Sequence, residues 1–157
     1  MMVMVASTNP SHLQIEVEVA APGWHEMLPQ AEDICRVAAL AAWQAADNGL
    51  ALAMAGHEVE VSVRLTDDDE IAALNQDYRD SANATNVLSF AAVTESDITS
   101  LPAGAPVLLG DVVMAYGVVA AEADSQSKSM ANHFSHLVVH GMLHLLGYDH
   151  TEEIDAK

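Results

Sequence analysis

The chain has 157 residues, of which 51% are hydrophobic, and its 23 acidic against 5 basic residues give a formal net charge of -18. This length and apolar content predict one domain over residues 1–157, built around a single core. The charge excludes proteins whose whole surface is basic, such as non-specific nucleic-acid binders and membrane-surface binders, and the single cysteine, Cys35, excludes an internal disulfide.

The amino-terminal residues show no sign of a targeting segment. They lack the positively charged region and the long apolar run of a signal peptide. Further along, the uncharged stretch over 129–148 contains four histidines, which makes it too polar for a transmembrane helix. We therefore expect a soluble, cytoplasmic protein.

Two alternating segments in the first half predict half-buried strands. They cover Leu13 to Val19 and Glu58 to Leu65, and in both every second residue is apolar. Between them, Pro29 opens a helix that Asn48-Gly49 closes. The residues that recur at helical spacing, and that we expect to be buried, are Ile34, Val37, Ala38, Ala41 and Ala45.

An acidic run follows the second strand. Residues 67–70 are all acidic, and Thr66 precedes them as a natural N-cap with Asp69 at the third helical position. The carboxylates then face the positive end of the helix dipole, which favours a helix start over a hard-metal site. The helix continues with an apolar stripe at Ile71, Leu74 and Tyr78.

The second half predicts two strands and two helices. Asn86 to Phe90 is a short strand, residues 91–106 are a loop, and Val107 to Ala115 is a strand buried on both faces, in which Gly110 permits a bulge or a close backbone approach. A helix over about 116–126 follows, and Ser129 caps a second helix that runs to about residue 146 and ends at Gly147. The fold class is therefore α/β of the mixed α+β kind, with a small mixed four-stranded sheet and helices packed on it.

The last predicted helix carries a histidine cluster. His140 and His144 are four residues apart, which puts them about 40° apart around a helix and about 6 Å apart along it. Gly147 stops the helix, and His150 follows three residues later on a returning turn. Three imidazoles with an open fourth position suit Zn²⁺, so we predict a site for one zinc ion at His140, His144 and His150, with His136 on a neighbouring face outside the ligand set.

This histidine spacing is also that of the metzincin metalloproteases. Those enzymes carry a glutamate directly after the first histidine as general base, and here that place holds Gly141. The residue that activates water for peptide cleavage is therefore missing, which argues against a protease. Asp111 and Asp149 are candidates to orient a ligand imidazole through its second nitrogen.

Three segments of the chain resemble the bacterial YbeY family of zinc-dependent rRNA maturation endoribonucleases. The segment HGMLHLLGYDH over 140–150 is similar to the family signature, including its glycine after the first histidine. LNQDYRDSANATNVLSF over 74–90 and LLGDVVMA over 108–115 resemble two supporting motifs. The chain departs from the family at Ser81, Ala82 and Ala84, where the family commonly has Lys-Asp and then Pro.

The resemblance implies a fold related to the zincins, with a metal helix near the carboxyl end. It implies that His140, His144 and His150 are metal ligands and that Arg79, in the Tyr-Arg pair, has a catalytic role. The chemistry is compatible, because a guanidinium binds phosphate oxygens bidentately and a zinc-polarised phosphoryl group needs no carboxylate base. The alternative is a structural role, in which Arg79 forms an ion pair with Asp77 or Asp80 at the end of its helix. Ser89 is a further candidate for substrate contact.

Three functions stay open at this point. The first, which the motifs favour, is a single-strand-specific zinc-dependent endoribonuclease in rRNA processing, acting in 16S rRNA 3′-end maturation and ribosome quality control. The second is a zinc hydrolase of another substrate, and the third is a non-catalytic zinc domain that binds a basic ribosomal protein, which the charge of -18 favours. The expected partners are single-stranded RNA or rRNA and the small ribosomal subunit or its assembly factors, with no DNA and no membrane.

Overall fold

Four strands and seven helices form in the part of the chain that the structure describes. The computed structural model describes residues 13–79 and 84–148, and the single domain predicted over 1–157 stays a prediction for the remainder. The strands are β1 (Leu13–Val19), β2 (Val59–Thr66), β3 (Val87–Ala91) and β4 (Val107–Ala115). The helices are α1 (Gly23–Met27), α2 (Ala31–Ala45), α3 (Gly49–Ala53), α4 (Asp68–Arg79), α5 (Glu95–Thr99), α6 (Tyr116–Ser125) and α7 (Met130–Leu145).

The four strands form one mixed sheet in the order β1-β2-β4-β3. β1, β2 and β4 are parallel, while β3 runs antiparallel to β4. The predicted mixed four-stranded sheet is therefore confirmed. Within the described ranges, no helix is both long enough and apolar enough to span a bilayer.

One face of the sheet is covered by α2 and α7 and holds the main core. Val59, Val61, Val63 and Leu65 all point into it, as the alternation in β2 predicts. On α2 the predicted stripe is confirmed at Ala38, which is buried, and wrong at Val37, which is 70% exposed. The buried residues of α2 are Ala31, Cys35, Ala38, Ala39 and Ala42. They are all small, which lets α2 approach α7 closely.

The other face of the sheet is only partly covered. α4 lies over its β3–β4 end, where Ile71, Leu88, Val113 and Ala115 form a second, smaller apolar cluster. The rest of this face, over β1, β2 and the adjoining part of β4, carries polar side chains such as those of Glu16, Ser62 and Asp111. We call this polar part the open face of the sheet.

Several helix boundaries differ from the sequence predictions. Asp67, rather than Thr66, caps α4, since its Oδ1 accepts the Glu70 N–H at 2.8 Å. Asn48 does not close α2 but caps α3, where its side chain accepts the Ala51 N–H at 3.0 Å. The predicted loop over 91–106 contains α5, which Thr94 begins with a capping box.

Gly110 has the close backbone approach that the sequence predicts. Its φ is +151°, the β2–β4 register shifts beside it, and a Cβ there would collide with the backbone carbonyl oxygen of Phe90. A side chain at this position would therefore push β3 away from β4.

Candidate metal centre

His140 and His144 lie one turn apart on α7, as predicted. Ser129 begins the helix by accepting the Asn132 N–H at 3.0 Å, which confirms the predicted cap. His140 is half-buried and His144 is exposed. The two side chains therefore share an accessible helix face, where both imidazoles can bind one ion.

The end of α7 has the geometry of a Schellman motif. Gly147, with φ of +92°, donates its N–H to the His144 carbonyl oxygen at 3.1 Å, and the Tyr148 N–H reaches the Leu143 carbonyl oxygen at 3.0 Å. These two bonds satisfy carbonyl groups that the helix end would leave unpaired. The predicted stop at Gly147 is confirmed.

The residues on either side of this stop are hydrogen-bonded to residues 47 and 48, just before α3. The side-chain amide of Asn48 donates to the Leu146 carbonyl oxygen at 2.8 Å, and the Tyr148 hydroxyl accepts the Asp47 N–H at 2.9 Å. These contacts set the direction in which the chain leaves α7. His150 and Asp149 follow directly, but both lie outside the described residues.

The two described histidines fit the zinc site that the sequence predicts. They are four residues apart on one helix face, as two histidine ligands of one ion need to be. Within residues 13–79 and 84–148 no group of three metal-ligating side chains comes together, because the third predicted ligand is His150. The complete ligand set therefore stays a prediction.

Gly141 lies where α7 contacts the sheet. It is buried, and a Cβ there would come within 3.0 Å of Val112 Cγ1 and 3.3 Å of Ser89 Oγ. The Ser89 hydroxyl also donates to the Gly141 carbonyl oxygen at 3.4 Å. Ser89 therefore lies in the contact between α7 and the sheet. Its contact with substrate stays a prediction. Position 141 thus has no carboxylate, and a side chain there would require Val112 or Ser89 to shift.

Asp111 lies on the open face of the sheet, away from α7. Its neighbour Val112 contacts the helix side, and side chains alternate along β4. Asp111 instead lines a cavity of about 630 Å³ together with Glu16, Glu18 and Arg64. The expectation that Asp111 orients a ligand imidazole is therefore wrong, since the sheet separates it from His140 and His144.

Arg64 is the cationic side chain of this cavity and is already paired. Its guanidinium contacts Glu18 at 2.7 Å and Glu70 at 3.1 Å, and these two bonds raise the arginine pKa. Arg79 is the last residue of α4, and its side chain lies outside the described part, as do residues 80–83. Its role in binding phosphate stays a prediction.

A buried polar contact on α7 escapes sequence analysis. His133 is only 4% exposed, and its Nε2 donates to Glu122 Oε1 on α6 at 2.9 Å. The same carboxylate accepts two hydrogen bonds from the Asn86 amide, at 3.0 and 3.3 Å. The sequence gives no sign of this set, because Glu122 lies 11 residues from His133 and 36 residues from Asn86.

A family model and several curated proteins that are similar to this chain carry the same description. A family model described as endoribonuclease YbeY matches residues 33–157. Among curated proteins, the endoribonuclease YbeY of Paramagnetospirillum magneticum is 46% identical over 145 residues, which cover 92% of this chain and 84% of that protein. The endoribonuclease YbeY of Sphingopyxis alaskensis is 44% identical over 146 residues, covering 92% and 85% of the two chains.

A solved structure supports the fold. The solution structure of TM1509 from Thermotoga maritima superposes with a TM-score of 0.51 at 23% identity, and the match covers 87% of this chain and 75% of that one. At this identity the likeness concerns the fold alone. It confirms the mixed α/β class that the sequence predicts.

Proposed function

This chain belongs to the endoribonuclease YbeY family, and from that premise we propose that it is a single-strand-specific, zinc-dependent endoribonuclease that processes rRNA. As a family member it is a hydrolase of the nuclease class. The finer proposal is maturation of the 16S rRNA 3′ end and ribosome quality control in the cytoplasm. The observation that carries it is the pair His140 and His144 on one accessible face of α7, directly before the Gly147 stop.

The proposed metal ligands are His140, His144 and His150. When bound, zinc supplies Lewis-acid polarisation of a phosphoryl oxygen and a lowered pKa for water. The described part of the chain contributes the helix that holds two of the ligands, His140 and His144. α7 is fixed at one end by its Ser129 cap and at the other by the Gly147 and Tyr148 bonds.

Gly141 favours a nuclease over a protease. Peptide cleavage at such a histidine helix uses a glutamate at this position as general base. A side chain at this position would also press against Val112, whose Cγ1 lies 3.0 Å from the place of a Cβ. Phosphodiester cleavage does not require a glutamate at this position, because a bound metal would polarise the phosphoryl group.

Arg79 is the proposed phosphate-binding residue. The whole chain has 5 basic residues at a net charge of -18, so its long-range field repels RNA. Arg64 is neutralised by Glu18 and Glu70, which removes it as a phosphate contact. Binding then rests on local contacts at Arg79 and the metal, so affinity for isolated RNA is weak and its salt dependence is shallow.

The open face of the sheet supports the proposal of a basic protein partner. Glu16, Glu18 and Asp111 line its cavity, and the one arginine there is paired with carboxylates. A surface of this charge attracts a basic ribosomal protein or assembly factor of the small subunit and repels free DNA and anionic membranes. Such a partner delivers the rRNA that the protein by itself attracts poorly.

Metal analysis and RNA cleavage, measured on the same preparations, test the function. The wild type is expected to bind about one zinc per chain and to cleave single-stranded RNA. His144→Ala should lose most of the metal and the cleavage. His136→Ala, one turn before His140 on the same helix, is the matched control and should keep both.

Two results would replace the proposal with one of its alternatives. Chelator-sensitive cleavage of generic peptides, with no RNA cleavage, would make the chain a zinc hydrolase of another substrate. Zinc binding without any hydrolysis, together with salt-sensitive binding of a basic ribosomal protein, would make it a non-catalytic zinc domain.

A further inference from the structure

Glu122 joins three elements of the fold through its carboxylate. It accepts a hydrogen bond from His133 Nε2 on α7 and two from the Asn86 amide, which directly precedes β3. We call these three residues the Glu122 clamp. Glu122 itself is on α6, so the clamp connects α6, α7 and the start of β3.

The clamp is held from several sides. The His133 ring is buried. Its Nδ1 has no hydrogen-bond partner among the described residues, so within that part of the chain the ring is hydrogen-bonded through Nε2 to Glu122. Asn86 is also fixed by its own backbone, because its Oδ1 accepts the Val87 N–H at 2.6 Å and its carbonyl oxygen accepts the Ala115 N–H at 3.2 Å. His133 is buried while Asn86 and Glu122 are partly exposed, and together these contacts hold the Asn86 side chain between Glu122 and the start of β3.

The position of the clamp relates it to the candidate metal centre. His133 lies seven residues, about two helical turns, before His140 on α7. Ser89 contacts Gly141 further along the same two elements. β3 is therefore held beside the histidine helix at two points, by the clamp near its start and by the Ser89 contact at its middle. Asn86 also ends the connection that starts after Arg79.

We infer that Glu122 is a positioning residue for the RNA site. It sets the place of Asn86 and the start of β3 relative to His140 and His144. This inference rests on the proposed function, since it concerns how β3 is held against the helix that carries His140 and His144. Glu122 does not act on the reacting atoms; it acts through Asn86 and His133.

A swap of donor and acceptor tests the clamp. Asn86→Asp places a carboxylate opposite that of Glu122 and breaks the contact. Glu122→Gln only weakens it, because the oxygen that glutamine keeps can take the place of Oε1, which accepts from both His133 and Asn86, while the new NH2 group replaces Oε2 at 3.3 Å from the Asn86 amide. In the double variant, the new carboxylate at position 86 accepts from the new amide at position 122, whose oxygen still accepts from His133. Asn86→Asp should lower kcat/KM for RNA by about 10- to 100-fold with zinc content unchanged, Glu122→Gln should lower it less, and the double variant should regain most of the loss seen in Asn86→Asp.

A control separates positioning from loss of stability. Thr94→Ala removes the capping box of α5, which lies against α3 and takes no part in the clamp. It should lower the melting temperature without lowering kcat/KM. Equal loss of kcat/KM in Thr94→Ala and in Asn86→Asp would overturn the inference, as would a double variant no better than Asn86→Asp.

Amide hydrogen exchange on β3 gives a readout that does not depend on cleavage. Exchange at residues 87–91 should be faster in Glu122→Gln and in Asn86→Asp, and close to wild type in the double variant. If the wild type fails to cleave RNA, the proposed function fails, and exchange alone then decides the clamp. Unchanged exchange in both single variants would overturn it in either case.

Discussion

Replacing Gly141 tests how closely α7 lies against the sheet. A Cβ at this position would come within 3.0 Å of Val112 Cγ1 and 3.4 Å of Val112 Cγ2. Both distances are shorter than an optimal carbon–carbon separation of about 3.5–4.0 Å. Because Val112 is itself buried in the sheet, it has little room to move.

Two opposing effects set the size of the Gly141→Ala change. Alanine in place of glycine stabilises a helix interior by about 1 kcal/mol. Overpacking in a filled core costs about 1–3 kcal/mol. The net expectation is a loss of up to about 2 kcal/mol, which lowers the melting temperature by about 4–8 °C in a chain of this size. Gly141→Glu should cost several kcal/mol more, because it buries a carboxylate without a partner.

Urea unfolding of a double-mutant cycle checks the cause. In a Val112→Ala background the two methyl groups are gone, so Gly141→Ala should become neutral or stabilising by about 1 kcal/mol. The coupling between the two substitutions is then about 1 kcal/mol or more. If Gly141→Ala stabilised the wild type by the full helix-propensity gain, with no coupling to Val112, the close contact would be refuted. Gly141→Glu should also acquire no peptide hydrolysis, as measured with generic peptides.

Three further changes probe the fold. Gly110→Ala should destabilise the protein by at least about 2 kcal/mol, as measured by urea unfolding. The reason is that a φ of +151° is strained for alanine and that the new Cβ meets the Phe90 carbonyl oxygen. An unchanged midpoint of urea unfolding would contradict this. The Thr66 hydroxyl donates to Glu70 and holds the pKa of that carboxyl below its usual 4.5. The hydrogen bond therefore stabilises the fold above pH 4.5, and this contribution is lost as the pH falls through the lowered pKa. Thr66→Val should therefore cost about 0.5–1 kcal/mol at neutral pH, and the gap from wild type should close in acid titrations. Burial raises the pKa of Cys35 to about 12, so a thiol reagent should label it only after unfolding, and rapid labelling of the native protein would show that α2 is misplaced.

Local patterns in the sequence account for much of the fold. The alternation over Leu13–Val19 and Val59–Thr66 predicts both strands, because the side-chain period of a strand is a property of its own backbone. The cap at Ser129 and the stop at Gly147 are likewise set by hydrogen bonds between residues close together in the chain. The one-turn spacing of His140 and His144 follows from helix geometry alone, which is why the sequence could place the two candidate ligands on one face.

Only the tertiary structure decides which side of an element meets which partner. α2 has apolar residues around most of its circumference, so its sequence does not show which arc is buried. The close approach of α7 selects the small side chains of Ala31, Cys35 and Ala38 and leaves Val37 in solvent. Asp111 is similar, because its place on the open face depends on the register of β4 between its neighbours.

The polar contacts around the candidate site also required the three-dimensional structure. Glu122 meets Asn86 across 36 residues and His133 across 11, and Arg64 meets Glu18 across 46. No local preference encodes such pairs, since they form only when the sheet and helices have packed. The sequence alone thus determined the histidine helix and its stop. The packing of that helix on β3 and β4 decided what surrounds it, because burial and long-range hydrogen bonds are properties of the whole fold.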